Sequence, residues 1–249
     1  MRRVWNKTQS EIAHEWDRIA TYRSEQIRTG KDISYEHVLI PSILEVIEGC
    51  DRTAVLDVGC GCGFLTARLA ESAQQVTGID ISSTSIQLAK TNCYQFNNIK
   101  FIDGAIEDFR LENVGESFSL AVANMSLMAM LRLDAALASL FRLVRPGGHL
   151  AFTITHPCFW PQYWNYSKEW FRYREENVIE APFRISLDSS DCFTTTHIHR
   201  PLERYVAELV TTGFDTCRLS EPMPRPEVEA MYPHPWEYPR FLVALCERK

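Results

Sequence analysis

Long apolar runs are missing from this 249-residue chain. No window approaches the roughly 18 consecutive apolar residues a membrane helix needs. The opening MRRVWNKTQSEIAHEWDR is too charged for the apolar segment of a signal peptide, so a cytoplasmic protein with no membrane partner is expected. Basic charge is also scarce. Twenty-six Lys and Arg against 32 Asp and Glu give a formal net charge of −6, without a Lys/Arg run, which argues against a nucleic-acid partner. Paired CxxC spacings are absent: of eight cysteines only Cys60 and Cys62 lie close together, so free thiols are expected and a metal is not. There is neither an internal repeat nor a low-complexity linker. The composition, 45% apolar and 23% charged, is that of a globule with a sizeable core.

After residue 50 the chain has a regular rhythm. TAVLDV (53–58), QVTGI (75–79), IKFI (99–102), FSLAVA (118–123) and HLAFTIT (149–155) are short, apolar and rich in β-branched residues, as strands require. Between them FLTARLAESA, SSTSIQLAKTNCYQF and SLMAMLRLDAALASLFRLVR repeat apolar residues every three or four positions, as helices do. Strand and helix in alternation predict an α/β protein with a doubly wound, Rossmann-like, mostly parallel sheet. RPGGH (145–149) reads as a helix stop and turn before the fifth strand. The helix PLERYVAELVTTGF and two last strands, TCRLSEP and PRFLVALCERK, bring the sheet to seven.

Two regions stand outside the rhythm. Residues 1–50 carry two helical patterns and are expected to form a lid on a core of residues 51–249. Residues 157–198 hold ten aromatics (Phe159, Trp160, Tyr163, Trp164, Tyr166, Trp170, Phe171, Tyr173, Phe183, Phe193) and are expected to form a cap over the substrate.

The stretch VLDVGCGCGFLT (55–66) sets three glycines at a strand-to-helix turn, where they let backbone approach a ligand and adopt positive φ. Counting from Gly59, the sixth position is Phe64, so the pattern is G-x-G-x-G and departs from the dinucleotide fingerprint. Asp80, ending the second strand, can accept from both hydroxyls of a ribose. Asp57 would attract a cationic group and repel a pyrophosphate.

These residues, with VTGIDIS, GAIEDF, FSLAVANMSLM and LVRPGGHLAFTITHPCF following in order, resemble the motifs of class I S-adenosylmethionine-dependent methyltransferases over about residues 50–155. The resemblance implies S-adenosylmethionine as cofactor. Backbone around Gly59, Cys60 and Gly61 would hold the methionine moiety beside Asp57, Asp80 the ribose, and Ile81 the adenine face. Asn124 and Met125, after the fourth strand, would complete the site. Where the family often has an acidic residue for the adenine amine this chain has Ala105; Asp103 or Glu107 could supply the contact, with the Ile106 backbone at the ring edge.

Methyl transfer from a sulfonium is an in-line displacement that asks chiefly for alignment and exclusion of water. Aromatic faces such as Tyr22 and Tyr35 can meet the sulfonium, Tyr22 being assigned to both cofactor and catalysis. Strand ends mark Asn124 and His156 as catalytic candidates, with His199 nearby, and a histidine is the usual base near neutral pH. Each histidine has a structural alternative, and His197 and His199 would share a face of a strand. The expected function is methyl transfer to an O, N or C atom of a small-molecule metabolite, with homodimerisation left open. Two other classes share the cofactor motifs: an enzyme that releases methylthioadenosine by intramolecular displacement, forming a cyclic amino acid, and a non-catalytic S-adenosylmethionine-binding module.

Overall fold

The computed structural model describes residues 1–110, 117–164, 169–187 and 189–249, the side chains of 189–191 excepted. Tyr166 of the aromatic insertion lies outside the described residues. In chain order the elements are β1 (Arg2–Val4), α1 (Gln9–Arg28), a π-helical turn (Tyr35–Leu39) running into α2 (Ile40–Val46), β2 (Ala54–Val58), α3 (Phe64–Ala70), β3 (Gln75–Asp80), α4 (Ser83–Asn92), β4 (Ile99–Asp103) and β5 (Phe118–Asn124). There follow α5 (Leu133–Leu143), β6 (Val144–Thr155), α6 (Trp160–Tyr163), β7 (Asn177–Arg184), β8 (Ser189–His199), α7 (Leu202–Thr212), β9 (Phe214–Ser220), α8 (Pro226–Glu229) and β10 (Phe241–Arg248).

The main sheet runs β4-β3-β2-β5-β6-β10-β9, its first five strands parallel and β10 antiparallel to both neighbours. Alternate strand residues feed opposite layers. Val55, Leu120, Ala151 and Val243 pack with Ile43 of α2 and Leu69 of α3, while Leu56, Ala121, Phe152 and Leu242 pack with Leu140 of α5 and Leu209 of α7. Both faces are thereby buried, which is why these strands read as nearly continuous apolar runs. No described helix is long and apolar enough to cross a membrane.

Three features differ from the sequence expectations. The pattern SLMAMLRLDAALASLFRLVR is not one helix: a 3₁₀ turn at Leu127–Ala129 precedes α5, and the carbonyls of Leu127, Met130 and Leu131 accept from the Arg200 guanidinium. An external donor thus satisfies groups that a continuous helix would have satisfied internally. The RPGG turn lies within β6, as a register break where Phe118 pairs with Val144 and Leu120 with His149.

The third difference is a second sheet. β1, β7 and β8 pair antiparallel in the order β1-β7-β8, so the insertion carries strands and the N-terminus is not wholly helical. Lys7 bridges Glu15 of α1 and Glu180 of β7, fastening the first helix to this sheet.

Candidate active site

The turn after β2 is shaped by its glycines and braced by one carboxylate. Gly59 (φ +69°) lies so close to Ser126 that an added Cβ would sit 2.5 Å from the Ser126 Cβ. Gly61 (φ +52°) has nothing within 4 Å on its Cβ side. Gly61 N–H donates to Asp80 Oδ2 at 2.8 Å, and Ser82 N–H donates to Asp80 Oδ1 at 2.8 Å. A carboxylate offers about four lone-pair sites, so Asp80 keeps acceptor capacity for a ligand. Asp57, buried at the end of β2, accepts from Thr66 Oγ1 at 2.6 Å. Burial pushes the Asp57 carboxyl up to about 7, the nearby Asp80 charge adding to the rise. Burial likewise pushes Asp80 up to about 6, against the two backbone donors that favour its charge. Two buried carboxyls raised in this way suit a site that receives a cation.

Both border a cavity of about 530 Å³ at the carboxyl ends of the central strands, roofed by α1 and the second sheet. That lies within the range of small-molecule sites, about 300–1,000 Å³. Of the residues singled out in the sequence, the cavity brings together Asp57, Gly59, Cys60, Gly61, Asp80, Ile81, Ala105, Ile106, Asn124 and Met125. Met125 holds a positive φ of 56°, a strained conformation for a long side chain, while its N–H donates to Thr153 O at 3.0 Å. Asn124 Oδ1 accepts from Thr153 Oγ1 at 2.5 Å. Glu107 borders the cavity and burial raises its carboxyl, whereas Asp103 is exposed outside it.

Three candidates lie outside the cavity wall: His156, His199 and Tyr22. His156 is buried with both ring nitrogens engaged, Nε2 donating to Glu221 Oε1 at 2.7 Å and Nδ1 accepting from Cys158 N–H at 3.2 Å. It organises the turn after β6. His199 accepts from Trp160 Nε1 at Nδ1 and donates from Nε2 to Tyr173 O, both at 2.8 Å, inside the aromatic core of the insertion. His197 does share its strand face, and it borders the cavity; burial pushes its imidazole down to about 3, so it is neutral across the physiological range. The Tyr22 ring lies against Phe193, centroids 5.3 Å apart and planes tilted by 33°.

The face of α1 that reaches the cavity carries Ile12, Trp16, Ala20, Arg23 and Ile27. Their spacing of three and four is the helical signal that points to Arg23 over its neighbour Tyr22. Arg23 pairs with Asp32 at 2.7 Å and lies 5.3 Å from the Tyr35 ring centroid, with Tyr35 also on the wall. Arg240, just before β10, and Thr155, ending β6, complete the far side.

A doubly wound sheet with a glycine turn over two carboxyl-bearing strand ends defines a class I S-adenosylmethionine-binding fold. The methyltransferase-domain family model matches residues 51–198, and the chain belongs to that family. Trans-aconitate 2-methyltransferase of Deinococcus radiodurans is 35% identical over 100 residues, covering 40% of this chain and 37% of that protein. A ubiquinone biosynthesis O-methyltransferase of Aromatoleum aromaticum is 28% identical over 154 residues, 60% of this chain and 61% of that one. The matches thus span about half the length of these curated relatives. The solved S-adenosylmethionine dependent methyltransferase of Mesorhizobium loti shares the fold with a TM-score of 0.61 at 19% identity, over 84% of this chain and 96% of its own.

Gly61→Ala tests the open face of the turn. The positive φ alone is expected to cost about 1–2 kcal/mol of stability. The new methyl would also stand in the cavity, so thermal unfolding with and without S-adenosylhomocysteine should show a lower midpoint and a smaller ligand-induced rise than in the parent.

Proposed function

We propose that this protein transfers the methyl group of S-adenosylmethionine to an O, N or C atom of a small-molecule metabolite, by in-line displacement in a capped pocket. The observation that carries the reading is the pair of raised, buried carboxyls, Asp57 and Asp80, beside the open Gly61 turn in one cavity. The donor set fits the cofactor along its length. Asp80 accepts from the ribose hydroxyls with the two lone-pair sites that its backbone donors leave. Ile81, Ile106 and Glu107 take the adenine end. Asp57 draws the cationic end toward the turn, and the Arg23 Nη1, buried without a partner, is ready for the amino-acid carboxylate.

When bound, S-adenosylmethionine supplies a methyl group on a positively charged sulfur, already activated for displacement. The protein's part is to align and to exclude water. Trp16 and Tyr35 from the N-terminal region and Tyr163 and Trp164 from the insertion enclose the space, so α1 and the cap serve as its lid. No histidine with an ordinary imidazole faces the cavity among the described residues, because His197 is held neutral and is a poor proton acceptor.

The test is mass spectrometry of products after incubating the protein with S-adenosylmethionine, alone and with a small-molecule extract of the cells that carry it. S-adenosylhomocysteine formed only with extract is the expected result, and the accompanying gain of a methyl mass identifies the acceptor. Methylthioadenosine above the protein-free rate without extract would overturn methyl transfer.

A further inference from the structure

The far side of the cavity has a charge of its own. Asp57 and Asp80 end β2 and β3. Arg240 immediately precedes β10, whose antiparallel course brings its first residue to the same edge as the last residue of β6: Phe241 pairs with Thr155, and His156 N–H donates to Arg240 O at 2.8 Å. From β2 to β10 are three strand spacings, about 14 Å. One cavity therefore has Asp57 and Asp80 over β2 and β3 and Arg240 at the start of β10, its wall also carrying Arg184 and the paired Arg23 and Asp32.

Arg240 lacks an anion. Its guanidinium lies 4.4 Å from the Trp236 ring centroid and 5.4 and 5.6 Å from those of Tyr232 and Tyr163, and among the described residues no carboxylate is within ion-pairing distance. Arg23 and Arg200, also in or near this region, have theirs in Asp32 and Glu176. A second observation stands beside it. Thr155 is 6% exposed and borders the same cavity, and its Oγ1 has no hydrogen-bond partner. A half-buried cation without a counter-ion and a buried hydroxyl without a partner are both costly, and one anionic oxygen group would satisfy both. A guanidinium and a single hydroxyl supply one positive charge and few donors, which matches a carboxylate better than a doubly charged phosphate.

We propose that the methyl acceptor is a small acid, held by its carboxylate on Arg240 and Thr155 at the end of the cavity opposite Asp80. This rests on the methyl-transfer reading above and names the class of its substrate. The rings of Trp236, Tyr232 and Tyr163 flank the guanidinium without supplying an anion. Arg23, on α1 and paired with Asp32, is assigned to the cofactor, so Arg23 and Arg240 serve two different carboxylates.

The probes are benzoate and its neutral isostere benzamide, titrated calorimetrically into protein saturated with S-adenosylhomocysteine. Benzoate is expected to bind about tenfold more tightly than benzamide, the worth of one charge-assisted contact. Arg240→Gln should abolish that preference, Arg240→Lys should keep part of it, and both should bind S-adenosylhomocysteine as the parent does. Thr155→Val, which removes only a hydroxyl, should weaken benzoate alone, and it decides the matter should Arg240→Gln not fold. Equal binding of the two probes by the parent, or a preference that survives both Arg240→Gln and Thr155→Val, would overturn the inference. Loss of S-adenosylhomocysteine binding in Arg240→Gln would overturn it too, by giving Arg240 to the cofactor. Failure of the parent to bind S-adenosylhomocysteine at all would instead bring down the methyl-transfer reading beneath it.

Discussion

Arg200→Leu is expected to lower the unfolding free energy by about 3 kcal/mol, and the thermal midpoint by roughly 6–12 °C for a chain of this size. Arg200 is 1% exposed, and its fork is fully used: Nε donates to Glu176 Oε2 at 2.7 Å, Nη2 to the carbonyls of Met130 and Leu131 at 2.8 and 3.0 Å, and Nη1 to that of Leu127 at 3.4 Å. Glu176 is 43% exposed, so solvent screens much of the ion pair. The larger loss comes from the Met130 and Leu131 carbonyls left without that donor next to the core, while Leu127 O keeps the Met130 N–H at 3.3 Å. Because Met128, Met130 and Leu131 border the cavity, the same change should loosen its wall. Thermal unfolding of Arg200→Leu and Arg200→Lys checks this. Lysine restores the charge without the planar fork, and a midpoint equal to the parent's in both variants would show that the fork holds nothing.

That arginine also marks the limit of what the sequence discloses. The β2 turn is legible because its chemistry is local: glycine spacing, Asp57 and Asp80 follow one another within 24 residues of chain. The succession of strands and helices and the buried faces are legible because period and composition are local too. Arg200 acts on carbonyls some 70 positions earlier, and that distance is why the pattern from Ser126 to Arg145 reads as one helix when it is two pieces. His156 and His199 stand at strand ends, where ligand-facing residues gather, yet both rings turn into partners of their own. Tyr22 and Arg23 differ by one residue and about 100° around α1, a phase that only the packing of that helix decides. Arg240 reaches the carboxyl edge because β10 runs backward, which a strand read singly does not announce. The second sheet is hidden for a similar reason, since β1 and β7 are joined across more than 170 residues.

Asp80 should set both the strength and the pH dependence of cofactor binding. Asp80→Ala would remove the proposed acceptor of two ribose hydroxyls and is expected to weaken S-adenosylhomocysteine by about 1.5–3 kcal/mol, roughly ten- to 150-fold. In the unliganded protein the Asp57 and Asp80 carboxyls are raised to about 7 and about 6 from an ordinary 3.8. The folded state therefore holds protons that the unfolded chain has released. Their contribution to stability is complete below about pH 4 and is lost as the pH climbs through 6 and 7. A cationic ligand reverses the preference, since it binds the charged carboxylates. Affinity for S-adenosylmethionine should therefore rise about five- to tenfold from pH 6 to pH 7 and level off above pH 8. Calorimetric titrations at several pH values, in parent, Asp57→Asn and Asp80→Asn, check this. Each variant should flatten part of the slope, because an amide does not titrate. A parent affinity that is level from pH 5.5 to 8, with an unliganded midpoint that does not fall over the same interval, would mean that neither carboxyl is raised and that the cavity's acidic end is not built around a positive charge.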